Sequence, residues 1–238
     1  MRTTIIFIVL VLIGVVVWGI VQDSKPAVHI PTIPTATTQP QDLCYYRSDK
    51  TSGGLYDRAW MKLHIDGEHV TGEFNNYPAE KDSKIGTFEG TAANGVATVT
   101  WNSTAEGMSN KEELLVKFDD TQAQAAFGEM VQGANGVYVY KDKASAVYQS
   151  AMPVIDCAQL DEILAVEKYI RSADLKTLTK DSPVLGGSLY VSGVVVDPMT
   201  HTATVTYEDG HNAYKGIVAY GFDKTSKKVT VNTFTKSK

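Results

Sequence analysis

The feature that most constrains the fold is a series of short segments, between residues 43 and 140, in which apolar and polar residues alternate. Met61, Leu63 and Ile65, for example, are separated by polar neighbours. A period of two is typical of a β-strand with one buried face. The turn-forming pair Asp66-Gly67 follows, and the alternation then resumes. This part of the chain therefore predicts hairpins rather than helices.

The connections between these segments are too short for a crossover helix, so neighbouring strands are expected to be antiparallel. A meander of this kind removes its exposed edges by closing on itself. We therefore expect a mainly β protein with an eight-stranded antiparallel up-and-down β-barrel of lipocalin or calycin type. The predicted strands cover residues 43–48, 59–65, 69–74, 84–92, 96–102, 112–118, 122–130 and 136–140.

An eight-stranded barrel either fills its interior with side chains or keeps a cavity for one small ligand. The alternation of residues is the same in both cases and leaves the two alternatives open. In a hollow barrel, the inward-facing residues would line a site for a small apolar ligand. The candidate ligand-binding residues are Met61, Leu63, Phe74, Phe88, Trp101 and Phe127, and Val70, Leu114 and Val116 are further inward-facing positions.

Four stretches of this part of the chain carry a family resemblance: GLYDRAWMKLHI (54–65), VTGEFNNYPAEKDSKIGTFEG (70–90), WNSTAEGM (101–108) and GVYVYKDK (136–143). They resemble an uncharacterised family of exported or membrane-anchored bacterial proteins of the candidate-phyla type, with a lipocalin-like β domain. The resemblance implies an export context and a compact β domain. It implies no activity and no site residues.

The pattern changes after Cys157. Leu160, Ile163 and Ile170 recur at helical spacing, and Asp156 is a suitable N-cap for a helix that ends near residue 173. Turns rich in Asp and Gly then separate four predicted strands. One helix on a four-stranded antiparallel sheet is a small α+β domain, similar in architecture to a cystatin-like fold, and architecture gives no function. The four strands cover residues 188–196, 202–207, 214–222 and 228–234.

The N-terminus carries 17 consecutive uncharged residues, Ile5–Val21, preceded by Arg2. As a helix this run would span roughly 26 Å, close to the ~30 Å hydrocarbon core of a membrane. A cleaved signal peptide is the alternative, but no pair of small residues marks a cleavage site after the run. We expect a single-pass anchor at residues 1–22, with the positive end in the cytoplasm and the bulk of the chain extracytoplasmic.

The next segment, 23–41, is rich in Pro and Thr and contains four of the eight prolines. Such a composition favours an extended linker. The predicted organisation is therefore an anchor, a linker, a β-barrel domain at 42–150 and an α+β domain at 151–238. The net charge of −5 and the lack of a basic stripe argue against a nucleic-acid partner.

The chain has two cysteines, Cys44 and Cys157. Outside the cytoplasm, two lone cysteines are usually paired, and the ends of a closed barrel lie close together. We therefore predict a Cys44–Cys157 disulfide with Cα atoms about 4.4–6.8 Å apart. The alternative is a pair of buried free thiols.

The polar residues that are candidates for chemistry are few, and no sequence motif supports them. Carboxylates at the barrel mouth could hydrolyse glycans, but charged residues alternating along a strand usually face solvent. Paired histidines and a cluster in the second domain are weak metal candidates, so no metal or cofactor is expected. These residues are Glu73, Glu89, Glu106 and Glu129 with Arg58 and Lys62, then His64 and His69, then His201, Glu208, Asp209 and His211.

The function most consistent with the sequence is that of a non-enzymatic binding module for a small apolar ligand or an envelope partner. A glycan-acting hydrolase of the cell envelope and a structural spacer are the alternatives. No motif of high specificity decides among the three.

Overall fold

The computed structural model describes residues 39–237, and these fold as part of one compact unit. The predicted anchor at 1–22 and nearly all of the linker lie outside the described residues. Within residues 39–237, no helix is long and apolar enough to cross a membrane.

The described chain begins with seven antiparallel strands, each of which pairs with the next. Alternation of apolar residues places one face of every strand in a common core, as the sequence predicts. The strands are β1 (Gln41–Lys50), β2 (Tyr56–Asp66), β3 (His69–Tyr77), β4 (Lys84–Ala93), β5 (Val96–Ala105), β6 (Met108–Phe118) and β7 (Gln122–Phe127).

Four shorter strands follow: β8 (Met130–Gln132), β9 (Val137–Tyr140), β10 (Val147–Tyr148) and β11 (Met152–Ile155). β11 pairs with both β7 and β1 and thereby closes the sheet. The result is a closed barrel of eight strands, β1 to β7 and β11, in which all neighbours are antiparallel. The predicted eight-stranded antiparallel barrel is confirmed.

The predicted identity of the eighth strand is wrong. The segment 136–140 does form β9, but β9 pairs in parallel with β6 and antiparallel with β8, outside the closed ring. The predicted strand 122–130 also divides, since β7 ends at Phe127. Alternation identifies a strand but does not say which neighbour it pairs with. β11 was not predicted because it has only four residues, and one of them, Pro153, cannot donate a ladder hydrogen bond.

The barrel interior is packed with apolar side chains. Phe74 and Trp101 lie at the centre with ring centroids 5.0 Å apart. Gly72 makes room for this packing, since a Cβ there would lie 2.6 Å from the Phe88 ring and 2.0 Å from the Lys62 carbonyl oxygen. The buried residues of this core are Tyr45, Ala59, Met61, Leu63, Ile65, Val70, Phe74, Phe88, Ala97, Val99, Trp101, Leu114, Val116, Phe118, Ala123, Ala125 and Met152.

The rest of the chain forms an α+β layer, as predicted. Helix α1 (Cys157–Ser172) begins at the N-cap Asp156, whose side chain accepts hydrogen bonds from two backbone amides of the first turn. A short helix, α2 (Leu175–Thr179), follows. Four antiparallel strands then pair in chain order: β12 (Tyr190–Asp197), β13 (Thr202–Glu208), β14 (Ala213–Asp223) and β15 (Lys228–Lys236).

The apolar face of α1 covers one face of this sheet. Ile163, Val166 and Ile170 of α1 pack with Val205 and Val218 of the sheet in a buried cluster. The core of the α+β layer is therefore separate from the barrel interior.

The disulfide between Cys44 and Cys157 is present, with Cα atoms 5.2 Å apart, and the prediction is confirmed. It joins β1 of the barrel to the first residue of α1. Around it, Cys44, Trp60 and Leu160 are buried together. Lys62 of the barrel wall also donates to Asp161 of α1, with Nζ and Oδ1 2.5 Å apart. The covalent bond and these contacts fix one face of α1 against the outside of the barrel.

Candidate functional site

The six residues predicted to bind an apolar ligand lie together in the barrel. Five of them are at most 2% exposed and pack against other apolar side chains, and Phe127 is partly buried at the margin of the same core. Ligand binding by these residues stays a prediction. The five buried residues are Met61, Leu63, Phe74, Phe88 and Trp101.

The four candidate carboxylates lie in separate places. Glu73 and Glu89 share the outer face of β3 and β4, Glu106 lies in the turn between β5 and β6, and Glu129 lies between β7 and β8. Glu129 accepts a hydrogen bond from Lys141 at 2.9 Å. The hydrolase hypothesis, which requires carboxylates on either side of one bond, stays a prediction without a constellation that supports it.

The histidines have carboxylate partners rather than shared ligands. His64 Nδ1 lies 2.7 Å from Asp42, and His69 Nε2 lies 3.6 Å from Glu89. No cluster of three or more His, Cys, Asp or Glu side chains within residues 39–237 is arranged to hold a metal ion.

The candidate metal-binding residues of the second domain also make hydrogen bonds within the fold. His201 Nδ1 lies 3.0 Å from the buried carboxylate of Glu162, which also accepts from Tyr220. Glu208 accepts a hydrogen bond from Tyr190. Asp209 accepts from the backbone amides of Val184, His211 and Asn212 and so holds its loop together.

A cleft of about 780 Å³ lies where the barrel wall, α1 and β12 meet. Its size falls in the range of ligand-binding pockets. The barrel contributes the start of β2 and the end of β3, with the loop after it. The main lining residues are Leu55, Tyr56, Arg58, Trp60, Tyr77, Ala79 and Ser83 of the barrel, Leu164, Glu167, Lys168, Arg171 and Ser172 of α1, and Ser192, Gly193, Val194 and Thr206 of the sheet.

The periodicities of β2 and α1 determine which side chains line this cleft. In β2, alternation turns Ala59 and Met61 inward and leaves Arg58 and Trp60 on the outer wall. In α1, the residues 164, 167, 168 and 171 follow the spacing i, i+3, i+4 and i+7, so they share one face of the helix. The barrel wall and that helix face lie opposite each other because the disulfide and its neighbours join them.

A carboxylate shared by two arginines organises the charge in the cleft. Glu167 Oε1 accepts hydrogen bonds from Arg58 Nη1 and, at 2.8 Å, from Arg171 Nε. The side chains of Arg58 and Glu167 are only 12% and 13% exposed. Lys168 has no carboxylate within ion-pair distance among the described residues. Three cations and one carboxylate therefore line the cleft, an excess of positive charge in a chain with net charge −5.

An aromatic ring helps to hold one of these cations in place. The Arg58 guanidinium lies over the Tyr77 ring, 5.1 Å from its centroid. Burial raises the pKa of the Tyr77 hydroxyl, and the charge of Glu167 raises it further, whereas the charge of Arg58 opposes both. Tyr77 therefore stays neutral at physiological pH and can donate a hydrogen bond.

The arrangement suits binding of an anion rather than proton transfer. The one carboxylate of the lining is already held by two arginines. Guanidinium groups bind carboxylates and phosphates with defined geometry, and the partly buried position strengthens such contacts.

This cleft was not predicted from the sequence. Arg58 was predicted only as a companion of the candidate carboxylates, and Glu167, Lys168 and Arg171 were not among the candidate site residues. Arg58 and Glu167 are 109 residues apart in the chain. Two features of the sequence could have indicated the cleft. Arg58 and Trp60 alternate onto the outer face of their strand, and the cysteine pair brings α1 close to the barrel wall.

A second polar cluster, at one end of the barrel, was also not predicted. Ser103 Oγ donates to Glu112 Oε1 at 2.5 Å, and Lys84 Nζ donates to Glu112 Oε2 at 2.6 Å. Ser103 is 1% exposed, so its hydroxyl is inaccessible to a substrate. This closed network stabilises the end of the barrel.

No protein-family model, no curated protein and no solved structure matches the chain. The resemblance to a family of exported bacterial proteins and to lipocalins finds no support in these comparisons.

Proposed function

We propose that the protein is a non-enzymatic binding module of the cell envelope, and that it binds an anionic group of an envelope partner in the cleft between the barrel and α1. The observation that carries the proposal is the excess of cations, Arg58, Arg171 and Lys168, around a single shared carboxylate. Arg58 and Arg171 are held in place by Glu167, so little side-chain freedom is lost when they bind a ligand.

The proposed location follows from the N-terminal sequence. The run Ile5–Val21 would hold the protein in the membrane, and the linker at 23–41 would separate the folded part from the bilayer. A cleft on the extracytoplasmic side would then face soluble or membrane-bound partners of the envelope. The disulfide agrees with an oxidising compartment.

The binding proposal is tested by thermal unfolding of the full-length protein in detergent with a panel of anions: tetraglutamate, glutarate, glucuronate and inorganic phosphate. At about 100 times its dissociation constant, a ligand stabilises the folded state by about 2.7 kcal/mol. At least one anion is expected to raise the melting temperature of the wild type but not of the Lys168→Gln/Arg171→Gln variant.

The matched control is the Lys111→Gln/Lys224→Gln variant, which loses the same charge at two exposed positions outside the cleft. It should keep the response of the wild type. If no anion in the panel stabilises the wild type more than the cleft variant, the proposed function is wrong.

The location is tested separately with intact spheroplasts. External protease is expected to degrade the folded part while the N-terminal run fractionates with membranes. Full-length protein protected in the cytosolic fraction would contradict the proposed orientation.

A further inference from the structure

The cleft reaches around the free edge of the four-stranded sheet. β12 is the terminal strand, and among the described residues its backbone pairs with β13 alone. Val194 lies on the face of the sheet that packs against α1, whereas Gly193 and Thr206 lie side by side on the opposite face. All three line the cleft. Because the cleft touches both faces at β12, the strand edge itself lies within it.

The interior of this edge strand carries no charge of the kind that usually prevents strand addition. The sequence from Tyr190 to Val196 carries no charged side chain. Charge is confined to the ends of both edge strands, to Asp197 on β12 and to Lys228 and Lys236 on β15. Charged residues on an edge strand normally prevent pairing with another chain. β12 contains one β-bulge, next to Ser192, which interrupts the pairing with β13.

The charge that surrounds the β12 edge comes from α1 instead. Lys168 and Arg171 line the same cleft from the helix side. Successive side chains of an extended peptide point in opposite directions. A strand added to β12 would therefore direct every second side chain towards the helix, where an acidic residue would meet Lys168 and Arg171.

We propose that the partner presents an extended acidic peptide segment, which adds to the free edge of β12 as a further strand. This inference rests on the proposed function and names the class of partner. Backbone hydrogen bonds to β12 supply sequence-independent affinity, and the cations of the cleft select acidic residues at alternate positions. A second copy of this chain fits less well, since pairing of two β12 edges would bring two cationic clefts together.

The proposal is tested with a display library of random ten-residue peptides, selected on the full-length protein in detergent. Selection on the wild type is expected to enrich peptides with Asp or Glu at alternate positions. The enriched peptides should bind the Lys111→Gln/Lys224→Gln control equally and the Lys168→Gln/Arg171→Gln variant at least about ten-fold more weakly, since two charge contacts are lost.

Synthetic versions of the enriched peptides, with every second backbone amide methylated, separate strand addition from charge binding. Methylation of the backbone amides that face β12 removes the donors that pair with this strand. The methylated peptide is expected to bind about ten-fold more weakly or worse. Methylation of the alternate set of amides, which face away from β12, should change the affinity much less.

The outcomes distinguish the two proposals. If acidic peptides bind and depend on Lys168 and Arg171, but methylation of either set of amides leaves the affinity unchanged, strand addition is wrong and the proposed function stands. If selection enriches nothing on the wild type beyond the cleft variant, the peptide proposal fails, whereas the proposed function fails only if no anion of the panel stabilises the wild type more than that variant. Dimerisation of the protein that the Val191→Lys variant abolishes would identify a second copy as the occupant of the edge and overturn the peptide proposal.

Discussion

Loss of the Cys44–Cys157 disulfide is expected to destabilise the barrel strongly. The bond closes a loop with a sequence separation of 113 residues, which contains every strand of the barrel apart from the first residues of β1. For a loop of this length, the chain-entropy model gives about 4.8 kcal/mol at 25 °C. Typical domains are stable by about 5–15 kcal/mol, so the loss would be a large fraction of the total.

The assay compares oxidised protein, reduced protein and the Cys44→Ala/Cys157→Ala variant by guanidinium unfolding. Tryptophan fluorescence follows the barrel, because Trp60 and Trp101 lie on its strands, the α+β layer contains no tryptophan, and the third tryptophan, Trp18, lies in the predicted anchor. Reduced wild type keeps both sulfur atoms, so it separates the loss of the bond from the loss of buried side-chain volume at Cys44, which is 3% exposed.

We expect reduction to lower the free energy of unfolding by about 2–4 kcal/mol, below the entropy limit because the unfolded chain retains some structure. Circular dichroism of α1 should show that the α+β layer remains folded at the temperature where the reduced barrel melts. Equal stability of the oxidised and reduced proteins, within about 0.5 kcal/mol, would refute the entropy argument.

Three further predictions test individual contacts. Tyr220→Phe removes a 2.9 Å hydrogen bond to the buried Glu162 carboxylate and should cost about 1–3 kcal/mol of unfolding free energy in urea. Gly86→Ala places a Cβ 2.0 Å from the Asn102 carbonyl oxygen; we expect roughly 3 kcal/mol or more of destabilisation, and a well-folded variant with unchanged stability would contradict the strand spacing. Backbone amides lower the pKa of Asp209 far below its ordinary value of 3.8. Its stabilising contribution is therefore complete above about pH 4 and is lost as the pH falls towards the lowered pKa, so Asp209→Asn should flatten the acid limb of a stability profile measured between pH 6 and pH 2.

Much of the fold could be predicted because it depends on local patterns. Alternation such as that of Met61 and Leu63 fixes which face of a strand is buried, and it led to the closed antiparallel barrel. Asp156 identified the start of α1 through its capping role. The two cysteines gave a covalent constraint that joins distant parts of the chain, and their pairing could be deduced from closure of the barrel.

What could not be predicted depends on contacts between distant segments. β9 and β11 are both short strands, and nothing in their residues shows that β11 closes the barrel while β9 pairs outside it. Likewise, the sequence pattern alone predicts that Arg58 faces solvent, whereas in the structure Glu167 of α1 contacts it. A charge on an outer wall has the same sequence pattern whether it faces water or another element of the fold.

The central claim, that an acidic ligand occupies the cleft, is tested most directly by hydrogen–deuterium exchange with and without saturating tetraglutamate. We expect slower exchange in three segments that are distant in sequence, around Tyr56–Asp66, the second half of Cys157–Ser172 and the start of Tyr190–Asp197. Exchange in the turn between β5 and β6, which does not belong to the cleft lining, should stay unchanged. Protection confined to the barrel end near Glu112, or identical protection in the Lys168→Gln/Arg171→Gln variant, would contradict it.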